Sequence, residues 1–224
     1  MSTTTTSTMN VEHGREDAFE KMEEAGVPKT AEPSEVAFSA KKNPEVKPKQ
    51  EQLEKEKEKK LPKLSAQEFK AYNHMAEHMD MFHNHFRQTW TTLSTACTRN
   101  SRPSGMSIRQ FLALITQFCH QLTLHHTIEE QHIFPVLAKK MAFFTPEEHA
   151  LTQHAGIHKG VEELEEWVQE VKEGGREFNL RDLKSVLDGF GEVLWRHLDD
   201  EVRTLGAENM RLYWSLEEMR RMPM

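Results

Sequence analysis

The chain has 224 residues, 29% of them charged and 37% apolar, and a net charge of −7. That balance gives no reason to expect nucleic acid or an acidic membrane surface as a partner, and with no run of about 18 apolar residues a transmembrane span is not expected. The opening MSTTTTSTMN lacks the basic start and apolar stretch of a signal peptide, and Cys97 and Cys119 sit among apolar neighbours as expected of buried free thiols, so the expected setting is intracellular, in the reducing cytoplasm.

Composition changes near Leu64. Residues 1–64 combine very few aromatics, scattered prolines, a Thr/Ser-rich start and a Lys/Glu run from Lys47 to Lys60. Too little apolar surface is available there to offset the entropy of ordering, which predicts a disordered low-complexity tail. Beyond it, four helices announce themselves by their start signals. Ser65-Ala66-Gln67-Glu68 and Ser107-Ile108-Arg109-Gln110 are capping boxes. Thr145-Pro146-Glu147-Glu148 offers a cap followed by proline at the first helical position, and Asn179 with Asp182 opens a fourth helix. Arg102-Pro103-Ser104-Gly105 and Gly174-Gly175 break the chain between helices, and a short link near Ala142–Thr145 separates the second from the third. No alternating strand pattern occurs. Short links favour antiparallel neighbours, so residues 65–205 are expected to form an all-α, up-down-up-down antiparallel four-helix bundle. Residues 206–224, with Met210, Leu212, Tyr213, Trp214, Leu216 and Met219, form a helical extension that either packs back on the bundle or offers an apolar face to a protein partner.

Apolar residues spaced three and four apart define the inward face of each helix. The first gives Ala76, Met79, His83, Phe86, Trp90, Leu93 and Cys97, with His83 in the seam and His74, His78 and His85 outside it. The second runs through Phe118, Leu122, His125 and Glu129, although the shifted seam Cys119, Leu122, His126, Glu130 and Ile133 is nearly as good. The third gives Leu151, His154, His158, Val161, Leu164 and Val168, and the fourth Leu183, Leu187, Phe190, Leu194, His197, Glu201 and Leu205. Polar groups at core positions are unfavourable unless paired or bound to metal. One histidine alone reads as a hydrogen-bonded core residue. Here His83, His125, Glu129, His154, His158, His197 and Glu201 fall on four consecutive helices. At about 1.5 Å per residue, all seven lie at one depth, counted from the shared loops. Histidine followed four residues later by a carboxylate occurs twice, as His125/Glu129 and His197/Glu201, and side chains at that spacing point the same way and can share a metal. The set reads as one metal site inside the bundle.

These motifs resemble those of hemerythrin-like, HHE cation-binding domains. The matching segments are His83-Asn84-His85-Phe86-Arg87; His125-His126-Thr127-Ile128-Glu129-Glu130 with Phe134-Pro135 after it; Gln153-His154-Ala155-Gly156-Ile157-His158; and His197-Leu198-Asp199-Asp200-Glu201. The C-terminal half resembles fungal members in particular. The resemblance implies a non-haem di-iron centre, two iron ions joined by an oxo or hydroxo group, held by His83, His125, Glu129, His154, His158, His197 and Glu201. His126 with Glu130 competes with His125 and Glu129 on periodicity and otherwise supplies outer hydrogen bonds. Asp200 competes with Glu201, because oxygen-carrying members have Asp one residue later than Glu201; the seam favours Glu201. The implied function is binding of dioxygen or a related small ligand, or sensing or storage of iron or oxygen, with Phe86, Trp90, Leu122 and Leu194 keeping water out. The alternatives are a di-iron oxidoreductase of oxidase or peroxidase type and a metal-stabilised interaction module that meets a protein through the tail or the extension. Ferritin-like oxidases use two Glu-x-x-His motifs. Only Glu129 with His132 offers one here, which favours a binding protein over an enzyme.

Overall fold

The computed structural model describes residues 61–223, and among these every regular element is helical. Helix α1 spans Ala66–Thr98 and α2 Ile108–Ile128, each opened by the complete capping box expected of Ser65 and Ser107. A π-helical turn, Glu129–Ile133, continues α2 into the short α3, Phe134–Leu137, and a 3-10 turn follows at Ala142–Phe144. Helix α4 spans His149–Glu173 and ends at Gly174 in the left-handed conformation (φ 78°), where the Gly174 and Gly175 N–H groups close onto the last carbonyls of the helix. Helix α5, Leu180–Thr204, starts at Asn179, whose side chain accepts from the Arg181 N–H at 2.8 Å. Two short helices, α6 (Ala207–Tyr213) and α7 (Leu216–Met219), end the described chain. No described helix is long and apolar enough to cross a membrane. The tail expected over residues 1–64 lies outside the described residues except for 61–64.

The four long helices pack in a ring: α1 on α2, α2 on α4, α4 on α5, and α5 on α1. Two glycines set the spacing on the α5 side. A Cβ at Gly160 of α4 would lie 2.1 Å from Phe190 Cγ, and one at Gly191 of α5 would lie 2.8 Å from Trp90 Cζ2. Only hydrogen fits there, and the backbone of each glycine lies close to the aromatic ring opposite it. Helices α6 and α7 lie against α1, and Met210, Trp214 and Met219 are buried with Tyr72, Met75, Met79, Phe134, Met141, Phe144 and Leu205 in an apolar cluster. The extension therefore turns its large apolar residues into this chain's own core.

Two expectations need correction. The third long helix does not begin at Pro146. The Thr145 hydroxyl and N–H both donate back to the Ala142 carbonyl, at 2.9 and 3.0 Å, closing the 3-10 turn, and the helix starts at His149. Its inward face is also rotated from the expected seam. Ala150, Gln153, His154, Ile157, Gly160, Val161 and Leu164 are buried, whereas Leu151 and His158 are only half-buried.

Candidate metal centre

Each long helix delivers side chains to one buried cluster. From α1, His83 has no exposed surface. Its Nδ1–H donates to the Leu198 carbonyl of α5 at 3.0 Å, which leaves Nε2 as a lone pair facing inward. From α2, His125 and His126 are both buried. Consecutive residues stand about 100° apart around a helix, and α2 packs between α1 and α4. His125 therefore meets His83, with Nε2 atoms 3.2 Å apart. His126 stacks on His154 of α4, with ring centroids 3.8 Å apart and planes 14° apart. From α5, His197 and Glu201 are buried completely, and His197 Nε2 lies 3.3 Å from His154 Nε2.

The two carboxylates connect these histidines. Glu129 Oε1 is 2.9 Å from His125 Nε2, and Oε2 is 3.5 Å from His154 Nε2. Glu201 Oε2 is 3.5 Å from both His83 Nε2 and His197 Nε2. Each acid thus reaches across from the α1/α2 histidines to the α4/α5 histidines. None of these approaches has hydrogen-bond alignment: both oxygens of Glu129, both oxygens of Glu201, both nitrogens of His126 and His197 Nδ1 are buried without a hydrogen-bond partner. Buried polar groups are almost always satisfied, and an unpaired one costs about 1–3 kcal/mol. The four carboxylate oxygens among inward imidazole nitrogens form a donor set that could hold a cation. Ligand atoms within 4.8 Å of one another fall into overlapping sets: His83, His125 and Glu129; His83, His197 and Glu201; His126, Glu129, His154 and His197; and, nearer the surface, Glu130, His154 and His158. Imidazole nitrogens with carboxylates suit iron, zinc or manganese, and the donor set fits the iron implied by the sequence.

Burial, then neighbouring imidazoles, hold His83, His126 and His197 well below their usual values, in the neutral form that binds metal. Burial, then the charge of Glu129, raises Glu201 well above the usual carboxylate range. Glu130 lies at the half-buried edge of the cluster. Burial pushes its carboxyl up, but hydrogen bonds from His154 and His158, together with their charge, outweigh this and bring it down to about 2. Its Oε1 accepts from His154 Nδ1 at 2.7 Å, which aims His154 Nε2 at the centre.

Of the residues expected from sequence, His83, His125, Glu129, His154, His197 and Glu201 come together. His158 lies at the edge of the cluster: its side chain is 33% exposed, faces Glu130 Oε1 at 3.7 Å, and forms with Glu130 and His154 a further group of mutually close ligand atoms. The residue undervalued by periodicity is His126, because a single seam through α2 admits only one of two adjacent histidines. Asp200 is separated from Glu201 by its partners, accepting from Gln153 Nε2 at 3.0 Å and pairing with Arg203 at the rim. The π turn matters as well. Continued as an α-helix, the His125/Glu129 face would run on through His132. The wider turn advances the phase by one residue, so that Ile133, Phe134 and Leu137 are buried and His132 is exposed. Glu129 and His132 therefore do not converge. Phe86 and Phe134 wall the site, their rings 5.1 Å from His125 and His154 respectively, and Leu122 and Leu194 are fully buried.

A family model described as the hemerythrin HHE cation-binding domain matches residues 74–207, which include every residue of the cluster. Among curated proteins, the chain is similar to "Dimeric xanthone biosynthesis cluster protein R11" of Cryptosporiopsis sp. (strain 8999), with 29% identity over 102 residues. That match covers 42% of this chain and 37% of the relative, so the chain spans well under half of that protein's length. No solved structure matches.

Proposed function

Because the chain belongs to the hemerythrin HHE cation-binding domain family, we propose that it is a non-haem di-iron protein that binds dioxygen or a related small ligand. The four long helices are read as an up-down-up-down antiparallel bundle around the pair of ions. His83, His125, His154 and His197 would supply the imidazole donors, and Glu129 and Glu201, each close to histidines from two helices, would supply the carboxylates. Iron held by nitrogen and carboxylate donors supplies an accessible change of oxidation state and Lewis acidity toward a small ligand.

The protein's own part is positioning, charge and exclusion of water. The bond from His83 Nδ1 to Leu198 and that from His154 Nδ1 to Glu130 fix both rings with Nε2 inward. Two buried carboxylates offset part of the cationic charge. Phe86, Phe134, Leu122 and Leu194 keep the surroundings apolar, which favours reversible binding of a neutral diatomic over hydrolytic or oxidative side reactions. The free, buried Cys97 and Cys119 suit an intracellular, cytoplasmic setting.

The observation that carries this reading is that four carboxylate oxygens, all buried and without hydrogen bonds, lie among two pairs of histidines. The test is metal analysis together with absorption spectra of aerobically purified protein, then of the same sample reduced and re-oxygenated. Two irons per chain and bands that reverse on deoxygenation are expected. One zinc per chain, or no metal, would refute the proposal, and sustained substrate turnover would move it to the oxidoreductase class.

A further inference from the structure

We propose that Arg87 is a positioning residue of the centre: from the rim between α1 and α5 it grips Asp199 and Trp195, and so fixes the Leu198 carbonyl where His83 Nδ1–H donates. This rests on reading the cluster as a metal site, since the ring being positioned belongs to that cluster.

The aim of His83 depends on the backbone of another helix. Its ring has no exposed surface, and Nδ1–H donates to the Leu198 carbonyl at 3.0 Å. Leu198 lies within α5. A helical carbonyl keeps a second lone pair beyond its own ladder bond, and His83 takes it. That bond holds only while α5 keeps its rotation and register against α1. The same stretch of α5 carries His197 and Glu201, so its rotation sets their aim as well.

Arg87 controls this placement from outside. It follows His83 by one turn of α1. Its Nη2 donates to Asp199 Oδ1 at 2.6 Å, and its guanidinium carbon lies 5.8 Å from the centre of the Trp195 ring. Asp199 and Trp195 are one turn apart and share a stripe of α5. On the α1 side, Nη1 donates to Asp80 Oδ1 at 3.2 Å and to Asn84 Oδ1 at 3.4 Å, and Asn84 Nδ2 donates to Asp80 Oδ2 at 2.9 Å. A planar guanidinium serves both helices at a fixed angle, which a single ammonium does not. Asp199 is the next residue after Leu198, so the hold on Asp199 is a hold on the carbonyl beside it. General stability is a poor account of this fork. Asp80 and Asp199 are 47% and 66% exposed, and ion pairs open to water add little to the stability of the whole fold. The effect belongs at His83.

The experiment uses the full-length chain with Arg87→Met, Asp199→Ala and Asp199→Asn. Arg196→Met, which breaks a pair internal to α5, is the control. Nuclear magnetic resonance with chelator reads exchange of the His83 Nδ1–H with water, calorimetry reads melting, and anaerobic Fe(II) titration reads affinity. In Arg87→Met and Asp199→Ala the His83 proton should lose its protection and iron should bind about 10–100-fold more weakly, while melting stays within about 2–4 °C of the parent. Asp199→Asn keeps an oxygen that accepts from Nη2 and should restore protection and affinity; Arg196→Met should change neither. Protection kept in Asp199→Ala, or lost equally in Arg196→Met, overturns the proposal. Should Arg87→Met fail to fold, Asp199→Ala, at an exposed position, decides alone. The exchange is read without metal, so a parent that binds no iron overturns the metal reading while the hold on His83 is still decided by exchange.

Discussion

Glu201→Met separates what the centre needs from what the fold needs. The Glu201 carboxyl has no exposed surface, and neither oxygen has a hydrogen-bond partner. Its neighbours His83 and His197, each 3.5 Å away, are kept neutral by burial first and by neighbouring imidazoles second, so these approaches are not ion pairs. Two unmet oxygens cost about 1–3 kcal/mol each, and an apolar side chain of similar volume removes that cost. Each kcal/mol moves the melting temperature of a chain this size by about 2–4 °C, so metal-free Glu201→Met should melt about 5–10 °C above the metal-free parent. With Fe(II) the order should reverse, because the parent gains binding free energy that the variant has lost. Calorimetry with chelator and again after iron loading reads both arms. A metal-free variant melting below its metal-free parent would show that Glu201 has a stabilising partner in the folded chain, and the reasoning from unpaired oxygens would fail.

Gly160→Ala should destabilise by about 1–3 kcal/mol in urea titration, since overpacking of this kind exceeds the gain of about 1 kcal/mol in helix propensity; Gly189→Ala, with nothing within 4 Å of the new methyl, should be neutral or stabilising. The reverse order would refute the close approach of Gly160 to Phe190. Burial lifts the Cys97 thiol to about 11 and Cys119 to about 12, so Ellman's reagent at pH 8 should label the native protein slowly and both thiols rapidly after denaturation; fast native labelling of Cys119 would contradict its burial. The metal-free protein should lose stability on acidification. His83, His126 and His197 have native values well below the unfolded value of about 6.5, so below that pH the unfolded chain takes up protons that the folded chain refuses, at up to about 1.4 kcal/mol per pH unit for each. Glu201 acts in the opposite sense: its raised native value gives stability that is present at low pH and lost as pH rises through it. Three histidines outweigh one acid, and a melting temperature with chelator that rises between pH 7 and 5 would refute the balance.

The seams of α1 and α5 were legible because each faces the core along a single stripe; every residue expected to be inward on those two helices is buried. The register of α4 was not, since a seam through His158 and one through Ile157 fit the same apolar spacing, and only packing against α2 and α5 decides between them. The π turn left no sign, because a wider turn is selected by what must be buried on either side of it and not by local propensity. The same limit hid His126. Periodicity assigns one inward direction per helix, whereas a helix lodged between two neighbours has two. Thr145 failed as a cap for a different reason: its hydroxyl was already engaged with Ala142.

The extension beyond α5 has a bearing on how a wall of the cluster is held. Phe134 touches His154 with one face of its surroundings and Phe144 with another, each at 5.1 Å, and it belongs to the same cluster as Met210, Trp214 and Met219. Trp214 is itself anchored, its Nε1–H meeting Met141 Sδ at 3.2 Å while Lys140 lies over its ring and pairs with Glu218. A wall of the cluster is therefore braced by segments remote in sequence, Met210, Trp214 and Met219 backing the ring that lies against His154. The position of a ring beside the buried histidines thus depends on residues more than seventy positions away in the chain, none of which offers a donor atom to the cluster.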